Sequence, residues 1–507
     1  MPRKNKPTKS RIPFILSGIL FILAFPPIGW WFLAWIGLLP LLVHARSLAF
    51  GLAFRRGWWS GLIMNAGLLY WVAMNTGAEL VVRWLSLFGL LLILPLYWGF
   101  FAGFWAFLWK RWGDAAALVL PALWVAFEVI KNAPEIGFPW LELGLTQIDL
   151  MPVAQLAEIG GIRFVSVWVV AANVAVYLFM QRKHRSALII ALLLLSGAIW
   201  GLWRMNHLPP VDATLTAAIV QGNIDPEDKW RLPPDSSIVI YEALTEQITA
   251  ENDVDLVLWP ETAVPVYLGH QMRYQNRIRS LARNIDAAIL TGASHYEFME
   301  PAERGHYRYN SAFFFPADGS QPGRYDKIRL VPFGERVPFQ HWIPQLGELN
   351  FGQAEFTSGN QFITFPVAEG VVVGAQICFE SVFSEETAQF VQNGASVLAN
   401  LTNDAWYGNS SGPYQHAALV RFKCIETRRP LIRAANTGIS LAADRTGRII
   451  QKLLLGERGA FIAEVTTCAD YQTFYVRHVE MLPRLLSVLA LILVITAAFE
   501  KPHGRLN

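Results

Sequence analysis

The chain has 507 residues, which is long enough for two domains, and 53% of them are hydrophobic while only 16% are charged. Soluble globular proteins carry about 25% charged residues, so this deficit excludes an ordinary soluble chain and indicates lipid-facing surface. The net charge of +3 is too small to favour a nucleic-acid partner. We therefore expect a membrane protein.

Residues 1–204 and 481–507 consist largely of apolar runs separated by short polar loops. A helix needs about 20 apolar residues to cross a bilayer core, and flanking Trp and Arg side chains extend shorter runs. We predict seven transmembrane helices in residues 1–204 and one in residues 481–507. The predicted spans are 12–25, 29–44, 58–75, 85–109, 114–130, 165–180, 187–203 and 482–499.

Positive charge is distributed unevenly among the segments that join these spans. With eight spans, one side of the membrane receives Arg3, Lys4, Lys6, Lys9, Arg11, Arg46, Arg55, Arg56, Lys110, Arg111, Arg182, Lys183, Arg185, Lys501 and Arg505. The opposite short loops hold Arg83, Lys131 and Arg163. Lys and Arg concentrate in cytoplasmic loops, so both termini are predicted to be cytoplasmic and residues 205–480 to face outward.

Residues 205–480 resemble a soluble domain in which strand-like and helix-like segments alternate. The predicted strands are 214–221, 254–259, 287–294, 310–316, 362–366, 370–378, 395–401, 431–444 and 447–453. The predicted helices are 236–252, 271–284, 383–393 and 414–428. This alternation predicts an α/β layered domain in which helices cover the sheets.

The chain has three cysteines, Cys378, Cys424 and Cys468, and the odd number leaves at least one free thiol. A lone Cys is most often a small buried hydrophobic residue, and we predict that role for Cys424 and Cys468. Cys378 ends an apolar strand in the sequence VVVGAQICFE. A side chain at the end of a buried strand is held rigidly where a cleft opens, so Cys378 is a candidate nucleophile.

Two charged residues are candidate partners of this thiol. Glu261 follows a predicted strand in LVLWPETAVP, and Lys327 lies among turn residues in GRYDKIRLVPFGERVPF. A carboxylate can accept the thiol proton, and an ammonium can stabilise both the thiolate and the oxyanion of a tetrahedral intermediate. Periodicity alone leaves open whether Glu261 and Lys327 are surface residues.

The motifs WPETA, DKIRLVPFGE and ICFE occur in the order and spacing of the nitrilase superfamily. With the eight-span body, the whole chain is similar to the bacterial apolipoprotein N-acyltransferase family. The resemblance implies a multi-span α-helical membrane domain plus an α/β nitrilase-like αββα sandwich in residues 205–480. It also implies a triad in which Glu261 is the general base, Lys327 stabilises the oxyanion and Cys378 is the nucleophile.

The same resemblance implies roles for residues around the triad. Glu335 in VPFGE and Glu380, two residues after the nucleophile, match carboxylates that order the site. Trp406 in LTNDAWYG and Trp230 in EDKW match aromatic residues of the substrate pocket, although both also suit core packing. Phe379 matches a substrate-binding position where the family often has Tyr, and the exchange preserves the ring.

The implied reaction is a ping-pong acyl transfer. Its partners are a phospholipid acyl donor and a diacylglyceryl apolipoprotein acceptor, whose N-terminal amine takes the acyl group from a Cys thioester. The implied location is the bacterial inner membrane, with the catalytic domain in the periplasm. No cofactor is implied, and no metal site is predicted because His295 and His306 are not at ligand spacing.

Residues 339–358 interleave hydrophobic and polar side chains, which favours either a mobile lid that dips toward lipid or an ordinary surface loop. The hydrophobic positions are Phe339, Trp342, Ile343, Leu346, Leu349, Phe351 and Phe356. In the fifth predicted span, Glu128 stands three residues before Lys131. An acid inside a span is a functional candidate, but this spacing favours a structural ion pair.

Two other functions are compatible with parts of this pattern. A membrane-tethered nitrilase-type amidase would use the same triad with water in place of the amine. A transporter with an extracytoplasmic binding domain would show polar residues along the spans and internal repeats. The predicted spans are almost free of charge and no repeat is visible, which favours the acyltransferase over the transporter.

Overall fold

A computed structural model describes residues 10–133, 135, 137–300, 305–340, 342–343, 345 and 355–502. Of the basic residues used for the predicted topology, Arg3, Lys4, Lys6, Lys9 and Arg505 lie outside this range. The chain divides into a helical unit and an α/β unit. The α/β unit comprises Leu208–Val479 together with Met74–Glu79, a short segment from the N-terminal half of the chain.

The helical unit contains apolar helices and short 3₁₀ turns. Its helices are α1 (Ile12–Ala24), α2 (Leu39–Ala45), α3 (Phe50–Leu69), α4 (Leu80–Trp112), α5 (Leu120–Lys131), α6 (Met151–Ala154), α7 (Ala157–Met180), α8 (His184–Asn206) and the last helix of the chain, α15 (Met481–Phe499). Its 3₁₀ turns are Trp31–Trp35, Tyr70–Met74, Gly113–Val119 and Leu143–Gln147.

Four stretches among the described residues are long and apolar enough to cross a membrane: Leu80–Lys131, Ala157–Met180, His184–Asn206 and Met481–Phe499. The prediction of transmembrane helices is thereby confirmed. Shorter apolar helices cover Ile12–Ala24 and Trp31–Ala45.

Two predicted spans have different boundaries in the structure. The span predicted at 29–44 is a 3₁₀ turn followed by α2, and Pro40 lies in the first turn of α2, where a helix tolerates a proline best. The span predicted to begin at residue 58 begins at Phe50. It therefore includes Arg55 and Arg56, which have good helix propensity and long side chains that reach away from lipid.

The α/β unit contains thirteen strands among its described residues and six helices. The strands are β1 (Thr214–Gln221), β2 (Leu256–Leu258), β3 (Val264–Tyr267), β4 (Ala288–Phe298), β5 (His306–Phe315), β6 (Gly323–Asp326), β7 (Thr364–Ala368), β8 (Val371–Ile377), β9 (Val397–Thr402), β10 (Leu431–Ala435), β11 (Ser440–Ala443), β12 (Ile449–Leu453) and β13 (Gly459–Thr466). The helices are α9 (Pro226–Arg231), α10 (Pro234–Thr249), α11 (Met272–Asn284), α12 (Ser384–Gln392), α13 (Ser411–Thr427) and α14 (Phe474–Arg477).

These strands form two mixed sheets that pack face to face. The first has the order β13-β1-β2-β4-β5-β6, with β3 beside β4, and the second has the order β12-β11-β10-β9-β8-β7. Buried side chains from both sheets, such as Leu258 and Val373, form one core. Side chains of α10 and α11, such as Ile238 and Ile278, cover the outer face of the first sheet. The predicted αββα sandwich is confirmed.

The strand prediction needs correction near the C-terminal end. The segment predicted as one strand at 431–444 is an antiparallel pair, β10 and β11, because the chain turns at Gly438, where φ is +154°. The strands β3, β6 and β13 and the helices α9 and α14 were not predicted. The sequence of β6, GRYD, is short and polar, and β3 carries a proline, so neither has a clear strand pattern.

Candidate active site

Glu261, Lys327 and Cys378 all lie just beyond the carboxyl ends of strands. Glu261 comes shortly after β2, Lys327 directly follows β6, and Cys378 directly follows β8. Strand β2 is parallel to β4, and β5 is antiparallel to both β4 and β6. The strands β2 and β6 therefore end at the same edge of the first sheet, and the structure brings all three side chains together.

Cys378 occupies a strained backbone position. It is the first residue of the 3₁₀ turn Cys378–Val382, and not the last residue of the strand as its sequence pattern predicted. Its φ is +52°, in the left-handed region that non-glycine residues rarely adopt. The Ser381 hydroxyl donates to the Cys378 carbonyl oxygen at 2.8 Å, which helps hold this conformation.

The Glu261 carboxylate interacts electrostatically with the Cys378 thiol and accepts a hydrogen bond from Asn310 Nδ2 at 2.7 Å. Gly292 on β4 allows the Glu261 backbone to lie close to this strand, because a Cβ at position 292 would lie only 2.6 Å from the Glu261 Cα. Burial raises the pKa of Glu261, although the positive charge of Lys327 opposes the shift. A carboxylate with increased proton affinity beside a thiol is suited to act as a general base.

Lys327 provides a permanent positive charge. Its side chain is 1% exposed, and its Nζ lies 2.8 Å from Glu335 Oε1. Burial disfavours the charged ammonium, but the negative charge of Glu335, with contributions from the thiolate form of Cys378 and from Glu261, outweighs burial and raises the pKa of Lys327. An ammonium that stays protonated here can stabilise an oxyanion that forms next to the Cys378 sulfur.

The Cys378 thiol is protonated at rest. Burial raises its pKa to about 12, the charge of Glu261 adds to that shift, and the charge of Lys327 opposes it. Only the thiolate is a good nucleophile. A nucleophilic role for this thiol would require removal of its proton, and the neighbouring Glu261 carboxylate is a group able to accept it.

Asn310 on β5 connects two carboxylates, and no role was predicted for it. Its Nδ2 donates to Glu261 Oε1 and also lies 3.2 Å from Glu335 Oε1. Glu335 is fixed in addition by the Val331 backbone N–H, which donates to Glu335 Oε2 at 2.8 Å. The available sequence signal was an amide in the strand-like segment YRYNSAFFF, since a buried amide in a strand needs polar partners.

Glu380 joins the two sheets behind the triad. Its Oε1 accepts hydrogen bonds from the Tyr325 hydroxyl at 2.6 Å and from the backbone N–H groups of Ile328 and Arg329 at 2.9 and 3.1 Å. Its Oε2 accepts from the Ile377 N–H at 3.2 Å. The Lys327 segment of the first sheet and the Cys378 turn of the second sheet are therefore attached to one buried carboxylate.

We expect Glu380→Gln to destabilise the fold by about 2 kcal/mol, because the amide NH₂ would meet backbone donors that now share a carboxylate. Thermal unfolding in detergent should show a lower Tm. The exposed Glu369 supplies a matched control, and Glu369→Gln should leave the Tm unchanged. An unchanged Tm for Glu380→Gln would contradict the connecting role.

The three predicted pocket aromatics have different environments. Trp230 lies on α9 and is 54% exposed, whereas Phe379 is buried with its ring 5.0 Å from that of Phe383. Trp406 lies in the 3₁₀ turn Asp404–Tyr407. Its carbonyl oxygen accepts from the Thr76 N–H at 2.9 Å, so the Met74–Glu79 segment contacts this turn.

Two other side chains near the triad carried no predicted role. Lys229 is 2% exposed, and its Nζ lies 3.3 Å from Thr262 Oγ1. Burial lowers the pKa of Lys229 to about 8, while the charge of Glu261 opposes the shift. Burial also raises the pKa of Tyr407, and the charge of Cys378 adds to it. Lys229 and Tyr407 therefore each interact electrostatically with a member of the triad.

A buried polar network supports the Cys378 turn from behind. Asp404 Oδ1 lies 2.9 Å from His416 Nδ1, and Asp404 Oδ2 accepts from Arg433 at 2.7 Å. His416 Nε2 lies 3.3 Å from the Ser381 hydroxyl, which itself holds the Cys378 carbonyl. The Cys378 backbone is thus connected through hydrogen bonds to a buried ion pair.

Part of the predicted lid falls outside the described residues, including Leu346, Leu349 and Phe351. Trp342 is 73% exposed and Ile343 is 50% exposed. The lid therefore stays a prediction. The residues that the structure describes include no cluster of three or more His, Cys, Asp or Glu side chains able to hold a metal ion.

Comparison with known families covers both units. Residues 17–175 match the family model for the apolipoprotein N-acyltransferase N-terminal domain, and residues 216–472 match the carbon-nitrogen hydrolase model. An apolipoprotein N-acyltransferase of Geobacter metallireducens is 35% identical over 93% of this chain and 92% of its own length. One of Chlorobaculum tepidum is 31% identical over 96% of both chains.

Among solved structures, an amidase of the nitrilase superfamily from Nesterenkonia aligns with 53% of this chain and 95% of its own, at 18% identity and a TM-score of 0.40.

Proposed function

The chain belongs to the apolipoprotein N-acyltransferase family, and from that premise we propose that it transfers an acyl chain from a phospholipid to the N-terminal amine of diacylglyceryl-cysteine apolipoproteins. The observation that carries the proposed chemistry is the convergence of three groups. The Cys378 thiol, the Glu261 carboxylate and the buried Lys327 ammonium are close enough to interact electrostatically with one another.

In the first half-reaction, the Cys378 sulfur attacks the ester carbonyl carbon of the phospholipid while the thiol proton passes to Glu261. The carbonyl oxygen becomes an oxyanion, which the Lys327 ammonium stabilises. The ester C–O bond then breaks, and Glu261 returns the proton to the departing alkoxide. A lysophospholipid leaves and the acyl group remains as a Cys378 thioester.

In the second half-reaction, the α-amine of the apolipoprotein attacks the thioester. An α-amine has a pKa of about 7.7–8.0, so a useful fraction is neutral near pH 7. Glu261 accepts the amine proton as the C–N bond forms. The C–S bond breaks, the thiol regains a proton from Glu261, and the triacylated product leaves.

The surrounding residues support this use of the site. Glu335 holds the Lys327 ammonium, Asn310 orients Glu261, and Glu380 attaches the two halves of the triad to each other. Trp230, Phe379 and Trp406 are proposed to contact the lipid substrates. Trp230 follows Lys229, whose Nζ reaches the residue next to Glu261.

The proposed location follows from the charge distribution in the sequence. Residues 1–204, with seven spans, and residues 481–507, with the last span, form the membrane domain in the bacterial inner membrane. Residues 205–480 form the catalytic domain on the periplasmic side, because Lys and Arg concentrate in the segments assigned to the cytoplasm.

Mass spectrometry of the purified protein after incubation with phospholipid tests the mechanism. We expect an acyl mass on the peptide that contains Cys378, no such mass in Cys378→Ser, and loss of the mass when a diacylglyceryl lipopeptide is added. Rapid release of free fatty acid without an adduct would favour a hydrolase. A stable protein with neither adduct nor acyl transfer would contradict the proposed function.

A further inference from the structure

The helical unit contains a cavity whose wall is rich in aromatic side chains. Tyr97, Trp98, Trp124, Phe127 and Trp140 line it. Its volume of about 40 Å³ exceeds the roughly 10–15 Å³ that one water needs on the same measure. The space therefore suits a small chemical group of a few heavy atoms.

Glu128 of α5 lines the same cavity and is 4% exposed. Its Oε1 accepts hydrogen bonds from Trp124 Nε1 at 2.8 Å and from the Leu143 N–H at 2.9 Å. Within the described part of the chain, its buried Oε2 has no hydrogen-bond partner. A buried carboxylate oxygen without a partner is energetically costly, and an acid within a membrane segment is a functional candidate.

The neighbouring cations have other partners. Lys131 also lines the cavity, but its Nζ donates to the Trp140 carbonyl oxygen at 2.6 Å. Glu128 and Lys131, predicted as a structural ion pair, attract each other electrostatically, although the hydrogen bond of the lysine goes to the Trp140 carbonyl oxygen.

Arg163 is engaged by two carboxylates. Its Nε lies 2.9 Å from Glu142 Oε1, and it also pairs with Glu480. Arg163 is not among the described residues that line the cavity, whose charged members are Glu128 and Lys131.

An organic ammonium fits this combination of groups. Aromatic faces attract cations through their quadrupoles, and cages of aromatic rings are a common way to bind substituted ammonium groups. Glu128 stands three residues before the end of α5, or about 4.5 Å along the helix axis. We propose that this cavity binds the ammonium group of a membrane lipid, with Glu128 as its counter-ion.

The site consists only of residues of the helical unit, so the inference does not depend on the chemistry of Cys378. Two lipids of different origin carry the required group. One is a phospholipid with an ethanolamine head group, and the other is a lipoprotein N-terminus with a free α-ammonium. Both would place a primary ammonium against the Glu128 Oε2 and the surrounding rings.

Native mass spectrometry of the delipidated full-length protein tests the site. Dioleoyl phosphatidylethanolamine is mixed with an equal amount of its N-acetyl derivative, which keeps both chains and the phosphate but lacks the ammonium. We expect the wild type to prefer the ammonium lipid about tenfold for the first lipid bound. A diacylglyceryl lipopeptide and its N-acetyl form repeat the comparison and show which source binds more tightly.

Glu128→Gln should reduce this preference to near unity, because the amide keeps an acceptor for Trp124 and Leu143 but loses the charge. Asp114→Asn provides a matched control, since Asp114 accepts from the Tyr177 hydroxyl at 2.8 Å and does not line the cavity. It should keep the preference. Phe127→Leu, which removes one ring, should weaken the preference several-fold and tests the site independently if Glu128→Gln is unstable.

Equal binding of the two lipids by the wild type would overturn the proposal. An unchanged preference in both Glu128→Gln and Phe127→Leu would do the same. Intact bound lipid and a covalently attached acyl group add different masses to the protein. The mass spectrum therefore distinguishes loss of lipid binding at this cavity from loss of thioester formation at Cys378.

Discussion

Cys378→Ser is expected to lower the rate of acyl transfer by about 10³-fold or more, since loss of a catalytic nucleophile removes the covalent route entirely. Serine keeps nearly the same shape at the strained turn, where φ is +52°. Its hydroxyl is far less acidic than a thiol, so Glu261 would not activate it effectively. The rate is measured as conversion of a fluorescent diacylglyceryl lipopeptide with phospholipid present.

Cys424 provides the matched control for this substitution. Cys424 is a free, fully buried thiol on α13, so Cys424→Ser tests the same chemical change away from the triad. We expect it to keep the transfer rate within a few-fold of the wild type. Substantial transfer by Cys378→Ser would show that the acyl group does not pass through this sulfur.

Glu261→Gln is expected to slow acyl transfer and to speed the alkylation of Cys378. Acyl transfer should fall by about 10²–10⁴-fold, the usual contribution of a general base. Alkylation of Cys378 by iodoacetamide at pH 8 should become faster. The charge of Glu261 raises the pKa of Cys378, whereas the charge of Lys327 lowers it. Removing only the negative charge lowers the thiol pKa, so a larger fraction is thiolate at the same pH.

Both rates are measured on the same preparation, with alkylation followed by mass spectrometry of the Cys378 peptide. The exposed Glu246 serves as the control, and Glu246→Gln should change neither rate. Slower alkylation in Glu261→Gln would mean that Glu261 already activates the resting thiol, in contradiction to the protonated thiol described above. Unchanged transfer would remove Glu261 from the mechanism.

The sequence was most informative where chemistry and strand pattern coincided. The motifs around Glu261, Lys327 and Cys378 indicated these three residues as candidates, and their positions at strand ends predicted that they would meet. The sequence did not reveal Asn310 as the link between Glu261 and Glu335. A single polar residue in a strand does not disclose its partners, because those partners lie far away along the chain.

The boundaries of the helices in the helical unit were also difficult to predict from the local sequence. The Arg55 and Arg56 pair resembles a loop by charge, yet it lies within α3, since arginine favours helix and its side chain can extend. The assignment of the Met74–Glu79 segment was likewise not predictable from the local sequence. Its membership of the α/β unit depends on tertiary contacts such as that between Thr76 and Trp406, which no local pattern encodes.

The attachment of both sheets to Glu380 has a consequence for the newly made chain. Lys327 and Cys378 acquire their relative positions only when the Tyr325–Arg329 segment and the Ile377 N–H bind the same carboxylate. Before that docking, the thiol has neither its cation nor a fixed turn. A chain that has folded only one sheet therefore lacks the arrangement of Lys327 and Cys378 seen in the complete domain, and assembly of the triad requires both sheets.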